Sequence, residues 1–237
     1  MPLAVSIQNP LLWALFIGWI LSVTLHEFAH GLVAYLGGDY TIREKGGLTL
    51  NPLQYVDPVM SLILPAVIFL MGGVPLPGGA TYIRHDLLRS KKWEVAVAAA
   101  GPAMNFLLFV LLALPFHPKL RWIDPSLAGG QASAAVTFLG AMAWLQMLAV
   151  LFNLIPVPPL DGFQMVAAGM DEETKMRFLR PPLGIALFLG FWFFLTRVPG
   201  VFEHFHNGVE HTLTFLGFDD IAIDFMGKAY NQALFNS

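Results

Sequence analysis

From residue 10 to residue 36 the chain runs for 27 positions with one charged side chain, Glu27, and no Lys or Arg. About 20 predominantly apolar residues suffice for a helix to cross the hydrocarbon core of a bilayer. A run of this length is therefore expected to be a membrane span. The rest of the chain agrees: only 12% of the 237 residues are charged, against about 25% in soluble domains. Further apolar runs cover about 59–76, 93–116, 132–157 and 182–198. Pro65 and Gly72-Gly73 break the second run. After Pro199, apolar positions mix with His204, His206, Glu210 and His211, which suits a poor sixth span or an interfacial amphipathic helix. From Asp219 onward the chain is too polar to span.

The first ten residues carry no Lys or Arg, and no small-residue cleavage site closes the first run. It is expected to stay as a span rather than leave as a signal peptide. A net charge of −3 gives no basic excess for nucleic acid. With no cysteine, a metal has only His, Asp and Glu to hold it.

The first run contains His26-Glu27-Phe28-Ala29-His30. On a helix, positions four apart share a face, so both imidazoles can reach one metal ion, with Glu27 beside them. Two neutral imidazoles and a carboxylate suit zinc and leave a position for water. A neighbouring carboxylate can take the proton of that water, which is the HExxH chemistry. A carboxylate deep in an apolar run is costly and points to function. Two imidazoles need a third protein ligand. Asp161 is a candidate, because the prolines of Asn153-Leu-Ile-Pro-Val-Pro-Pro-Leu-Asp161-Gly162 break the helix near membrane depth. On spacing alone it is equally a loop Asp in a turn before Gly. Two stretches, Gly47-Leu48-Thr49-Leu50-Asn51-Pro52 and 75–82, read as extended or turn rather than helix.

These motifs, in this order, resemble the site-2 protease family of intramembrane zinc metalloproteases. The resemblance covers His26, Glu27 and His30, the stretch from Gly47 to Pro52 and on to Asp57-Pro58, Gly101-Pro102-Ala-Met-Asn105, and Asn153 through Asp161-Gly162. It implies one zinc per chain held by His26, His30 and Asp161, with Glu27 as the catalytic base. It implies that Asn153 lies near the metal and helps hold substrate or oxyanion, and that Asn105 packs helices or serves the site. Leu48, Thr49, Leu50 and Asn51 would belong to a small membrane-associated β element that presents substrate as a strand. The implied substrate is a membrane protein with a transmembrane helix. PDZ and CBS domains, present in some members, are not recognisable, so the chain resembles a minimal form.

The expected fold is thus an all-α integral membrane protein. It is a polytopic helical bundle of about five or six membrane segments with a small β element. Residues 1–200 form the metalloprotease domain, with its core at 10–165, and 201–237 an amphipathic or membrane-associated tail. His26, His30 and Asp161 must meet on one side of the membrane. That requires the 59–76 run to re-enter rather than cross. Re-entry also places nine Lys/Arg on one side against three on the other, with Lys228 uncounted. By the positive-inside rule the N-terminus is then external and the site nearer the cytoplasm, in a bacterial or archaeal cell membrane. Two rivals are a catalytically silent homologue that binds membrane helices as a regulator, and a metal-ion transporter. The intact Glu27 argues against the first. The scarcity of polar residues elsewhere in the spans argues against the second. For His204, His206 and His211 an interfacial helix is the simpler reading than a second metal site.

Overall fold

Asn9-Pro10 is a helix-start signal. In the computed structural model, which describes residues 8–63, 65–66, 78–128, 132–180 and 182–235, helix α1 spans Pro10–Gly37. The Asn9 side chain accepts the Leu11 N–H at 3.0 Å, and Pro10 sits where its missing N–H costs nothing. The Asn9 amide also donates to the carbonyls of Gln232 and Ala233, which ties the start of α1 to the end of the chain. Helix α2 spans Lys91–Ala113 and runs on into a tight turn at Leu114–Phe116. Helix α3 spans Ala134–Asn153 and is capped by the Ser133 hydroxyl.

Among the described residues these three helices are long and apolar enough to cross a membrane. Five shorter ones follow: α4 (Asp161–Ala167), α5 (Glu172–Leu179), α6 (Leu183–Arg197), α7 (Val201–Phe215) and α8 (Asp220–Phe235). Helices α5 and α6 meet at 60° and are long and apolar enough to cross only if taken together as one broken span. Of the expected five or six segments, three, or four with that bent pair, are found among the described residues. The expected fifth span shortens to the 15 residues of α6.

Helix α2 starts beside the end of α1, where the Arg89 N–H donates to the Gly37 carbonyl at 3.0 Å. Helix α3 then runs back parallel to α1. Gly18 lies against Met142, Ser22 bonds Gln146, and further along His26 meets Asp161. The first and third long helices thus end on the same side. Most of the 59–76 run lies outside the described residues, but its flanks are described. The Gly78 N–H donates to the Met60 carbonyl at 3.2 Å, and the Ala80 N–H to the Tyr55 carbonyl at 3.0 Å. The chain that departs at Met60 is beside it again at Gly78.

The expected β element is not found: no strand occurs among the described residues. Residues 45–48 form turns, held by the Thr49 N–H to the Gly46 carbonyl and by the Tyr55 hydroxyl donating to the carbonyl of Thr49 at 2.7 Å. Pro52–Tyr55 is a 3-10 turn capped by Asn51. A strand needs a partner for its backbone groups. Here Tyr55 and neighbouring turns satisfy them instead.

The main core joins Leu15 of α1, Phe109 of α2 and Trp144 and Met147 of α3 to the C-terminal helices. In α8 the positions Ala222, Phe225, Met226, Ala229 and Ala233 are all buried. Their three- and four-residue spacing makes one apolar face on an otherwise polar helix. The tail beyond 200 therefore ends in a helix docked on α3.

Candidate metal centre

The four-residue spacing in α1 brings Nε2 of His26 and Nε2 of His30 to 3.0 Å. Prolines 156, 158 and 159 cannot continue α3, so the chain turns after Asn153 and becomes helical again at Asp161. Gly162 makes the turn possible, because a Cβ there would run into the carbonyls of Leu154 and Ile155. The turn delivers the Asp161 carboxylate to the imidazoles. Oδ2 lies 3.2 Å from Nε2 of His26, and Oδ1 lies 3.3 Å from Nε2 of His30. One ligand atom from each of the three residues lies within 4.8 Å of the others.

The surroundings decide whether these residues fit a cation. Nδ1 of His26 lies 2.5 Å from Oδ1 of Asn105, and Nδ1 of His30 lies 2.7 Å from the Val97 carbonyl. Both partners can only accept, so each Nδ1 carries the hydrogen and each Nε2 turns a lone pair inward. Two lone pairs and a carboxylate, buried face to face, repel one another unless a positive charge lies between them. Oδ2 of Asp161 is buried and has no hydrogen-bond donor. Helix α2 leaves the space clear: a Cβ on Gly101 would overlap Nε2 of both histidines. Val97, Gly101 and Asn105 are four apart and share one face of α2. They supply in turn an acceptor for His30, room for an ion and an acceptor for His26. The donor set of two imidazoles and a carboxylate fits zinc.

Glu27 is 7% exposed. The Thr81 hydroxyl lies 2.8 Å from Oε2 of Glu27 and 3.1 Å from the Glu27 carbonyl oxygen. Gly79 lets the 78–82 segment lie flat on the carboxylate, since a Cβ there would press on Cγ of Glu27. A cavity of 310 Å³ opens beside the cluster and is lined by His26, Glu27, Asp161, Asn105 and Asn153 among mainly apolar side chains. The structure therefore brings together six of the expected site residues, counting His30 behind the first five.

Leu48, Thr49, Leu50 and Asn51 are not among the lining residues. Leu48 packs against Ala34, Ile42 and Val97, Leu50 is 61% exposed, and Asn51 caps the 3-10 turn. His206 packs its ring at a tilt against Trp144 and His204 bonds the Gly200 carbonyl, so these histidines serve helix packing and capping.

Sequence reasoning did not find Thr81 or Gln146. Gln146 is fully buried in α3. Its Oε1 accepts from Nδ2 of Asn105 at 2.9 Å and from the Ser22 hydroxyl at 2.8 Å. Interhelical hydrogen bonds in bilayers average only ~0.6 kcal/mol, too little to justify two buried amides by stability alone. A glutamine in the otherwise apolar 138–152 stretch of α3 was the available signal.

A paired-histidine helix, a distant aspartate and an adjoining glutamate, set among apolar helices, have the pattern of a candidate metal centre of the HExxH class. Residues 125–197 match Peptidase family M50. The chain is 39% identical over 164 residues to the Mycolicibacterium smegmatis protein described as "Putative zinc metalloprotease Rip2", covering 69% of this chain and 60% of that one. It is 32% identical over 156 residues to the Bacillus subtilis protein described as "Putative zinc metalloprotease YwhC", covering 64% of this chain and 67% of that one. It is 26% identical over 167 residues to "Zinc metalloprotease MJ0392" of Methanocaldococcus jannaschii, covering 70% of this chain and 37% of that one. The chain belongs to Peptidase family M50, the site-2 protease family. It spans about 60% of the length of Rip2. No solved structure matches.

Proposed function

We propose that this chain is a zinc-dependent intramembrane endopeptidase that hydrolyses a peptide bond in or near a transmembrane helix of a membrane-protein substrate. The observation that carries the reading is the convergence of His26, His30 and Asp161 on the space beside Gly101, with the Glu27 carboxylate at the edge of the same cavity. His26, His30 and Asp161 would hold the ion. A bound zinc supplies Lewis-acid polarisation of water and of the scissile carbonyl.

The remaining work falls to this chain's own groups. Glu27 takes a proton from the attacking water and returns it to the leaving amine, so that water is split across the peptide bond. Thr81 holds Oε2 of Glu27 and so fixes which oxygen faces the reaction. Asn153 and Asn105 line the cavity, and Asn153 offers an amide to the substrate backbone or the developing oxyanion. The apolar walls accept a membrane helix once it has been locally unwound.

The placement we propose is an integral membrane protein of a bacterial or archaeal cell, with the site nearer the cytoplasm. Its support is the excess of Lys and Arg on the side where α1 ends. The test is cleavage of a membrane-helix substrate by detergent-purified protein. The wild type cleaves, and Glu27→Gln, still loaded with zinc, does not. Cleavage by a zinc-loaded Glu27→Gln protein would overturn the reading.

A further inference from the structure

The cavity beside the candidate metal centre extends well beyond it. On α1 its lining residues Trp19, Val23 and His26 follow one another at four- and three-residue spacing, so it runs along one face of the helix. Trp19 precedes His26 by seven residues, roughly 10 Å of helix rise. Packing defines the level of the far end. Gly18 of α1 lies against Met142 of α3, and Ala229 of α8 against Gly140 of α3, so the three helices meet there. Tyr230, the residue after Ala229, lines the cavity, as does Phe205 of α7. The C-terminal helices thus supply a wall of the candidate substrate site.

The Tyr230 hydroxyl has no hydrogen-bond partner among the described residues. Burial alone acts on it, pushing the phenol up to about 12, and the hydroxyl stays open to the cavity. A bare donor among apolar walls calls for an acceptor. The proposed substrate brings acceptors: unwinding a membrane helix frees main-chain carbonyls, and each one left unsatisfied away from water costs several kcal/mol. An extended chain advances about 3.3 Å per residue, so the distance from the metal ligands to the far end takes about three residues. We infer that Tyr230 is a substrate-binding residue: its hydroxyl donates to a main-chain carbonyl of the unwound segment, about three residues from the scissile bond. This role rests on the endopeptidase reading and deepens it. The donor is held ready before substrate arrives, because Asn9 ties the end of α8 to the start of α1 and the apolar face of α8 seats it on α3.

The test uses full-length, zinc-loaded protein in detergent. The probe is a synthetic membrane-helix peptide of about 20 Leu and Ala residues with a central Gly-Ser pair that eases unwinding. A matched series carries one ester in place of one backbone amide, at the second, third or fourth residue on either side of the cleaved bond. An ester carbonyl is a weaker acceptor than an amide carbonyl. Tyr230→Phe should cleave the all-amide peptide with kcat/KM about ten-fold lower. It should keep its zinc and unfold at the wild-type temperature, since the hydroxyl bonds nothing in the protein. In wild type one ester position should cost a similar factor, and in Tyr230→Phe that same ester should cost nothing further.

Undiminished cleavage by Tyr230→Phe, the result for a hydroxyl that holds only a water, would overturn the proposal. So would esters that cost the variant as much as they cost the wild type. A fall in zinc content or unfolding temperature in Tyr230→Phe would give the hydroxyl a structural role and overturn it as well. A zinc-loaded wild type that leaves the peptide intact would instead sink the endopeptidase reading, and this role with it.

Discussion

Gly101 of α2 faces Nε2 of His26 so closely that any side chain at position 101 would fill the space into which the imidazole points. The glycine is buried in a helix interior, where it is itself unfavourable by about 1 kcal/mol relative to alanine. Its presence there is a cost to the helix that buys room beside the histidines.

Gly101→Ala sets those two effects against each other. The variant should lose zinc, and its metal-free form should unfold at or below the wild-type temperature, because the new Cβ overlaps both imidazoles and a clash of about 1–3 kcal/mol offsets the helix gain of about 1 kcal/mol. Metal content and thermal denaturation of the same preparation check this. Wild-type zinc content in Gly101→Ala would show that the space is not the metal position.

Thr81 acts on Glu27 rather than on the ion. Thr81→Val should keep full zinc content and lower the cleavage rate about ten-fold, the equivalent of one hydrogen bond to a charged group. Thr81→Ser, which keeps the hydroxyl, should recover most of the rate. A loss of zinc in Thr81→Val, or no recovery in Thr81→Ser, would place the effect elsewhere.

Lys175 of α5 is 5% exposed, and its ammonium lies 2.8 Å from the Glu94 carboxylate on α2. Removing one partner leaves the other charge uncompensated, at a cost of about 3 kcal/mol for a pair near a helix end. Lys175→Met should therefore unfold at clearly lower temperature than wild type. Lys175→Met combined with Glu94→Leu should regain most of the difference, as an apolar pair replaces the ionic one. Additive losses in the double variant would contradict this.

His85 lies in the loop before α2, with Nδ1 3.7 Å from the same Glu94 carboxylate. Burial, reinforced by the charge of Lys175, holds its imidazole below the ordinary value of 6.5, although Glu94 pulls the other way. The unfolded chain then takes up a proton that the folded chain resists. Stability contributed by neutral His85 is present above pH 6.5 and falls as the pH drops through 6.5 toward the depressed folded value. His85→Gln should lose less stability than wild type between about pH 7.5 and pH 5.5, as read by thermal denaturation. Parallel losses in the two proteins would contradict it.

The candidate site was legible in the sequence where its logic is local. His26 and His30 are one helical turn apart, and prolines 156, 158 and 159 announce the turn that brings Asp161 back. What depends on contacts between distant residues was not legible. Gln146 reaches His26 only through Asn105, across two helices. Thr81 meets Glu27 from a segment more than 50 residues away. The expected strand at 47–51 failed because Gly, Thr and Asn-Pro suit turns as well as strands, and only a partner decides between them. The polar stretch after Asp219 was read by its average. Its apolar face, Ala222 to Ala233, seats it on α3. The family assignment survived these errors because it rests on motif order.

The measurement that bears most directly on the metal centre is zinc per chain in detergent-purified protein, for wild type beside His26→Ala, Asp161→Ala and Glu27→Gln. We expect about one zinc in wild type, strong depletion in His26→Ala and Asp161→Ala, and retention in Glu27→Gln. A well-folded wild type without zinc, or one whose zinc survives the loss of His26 and Asp161, would contradict the assignment of this cluster as the metal centre.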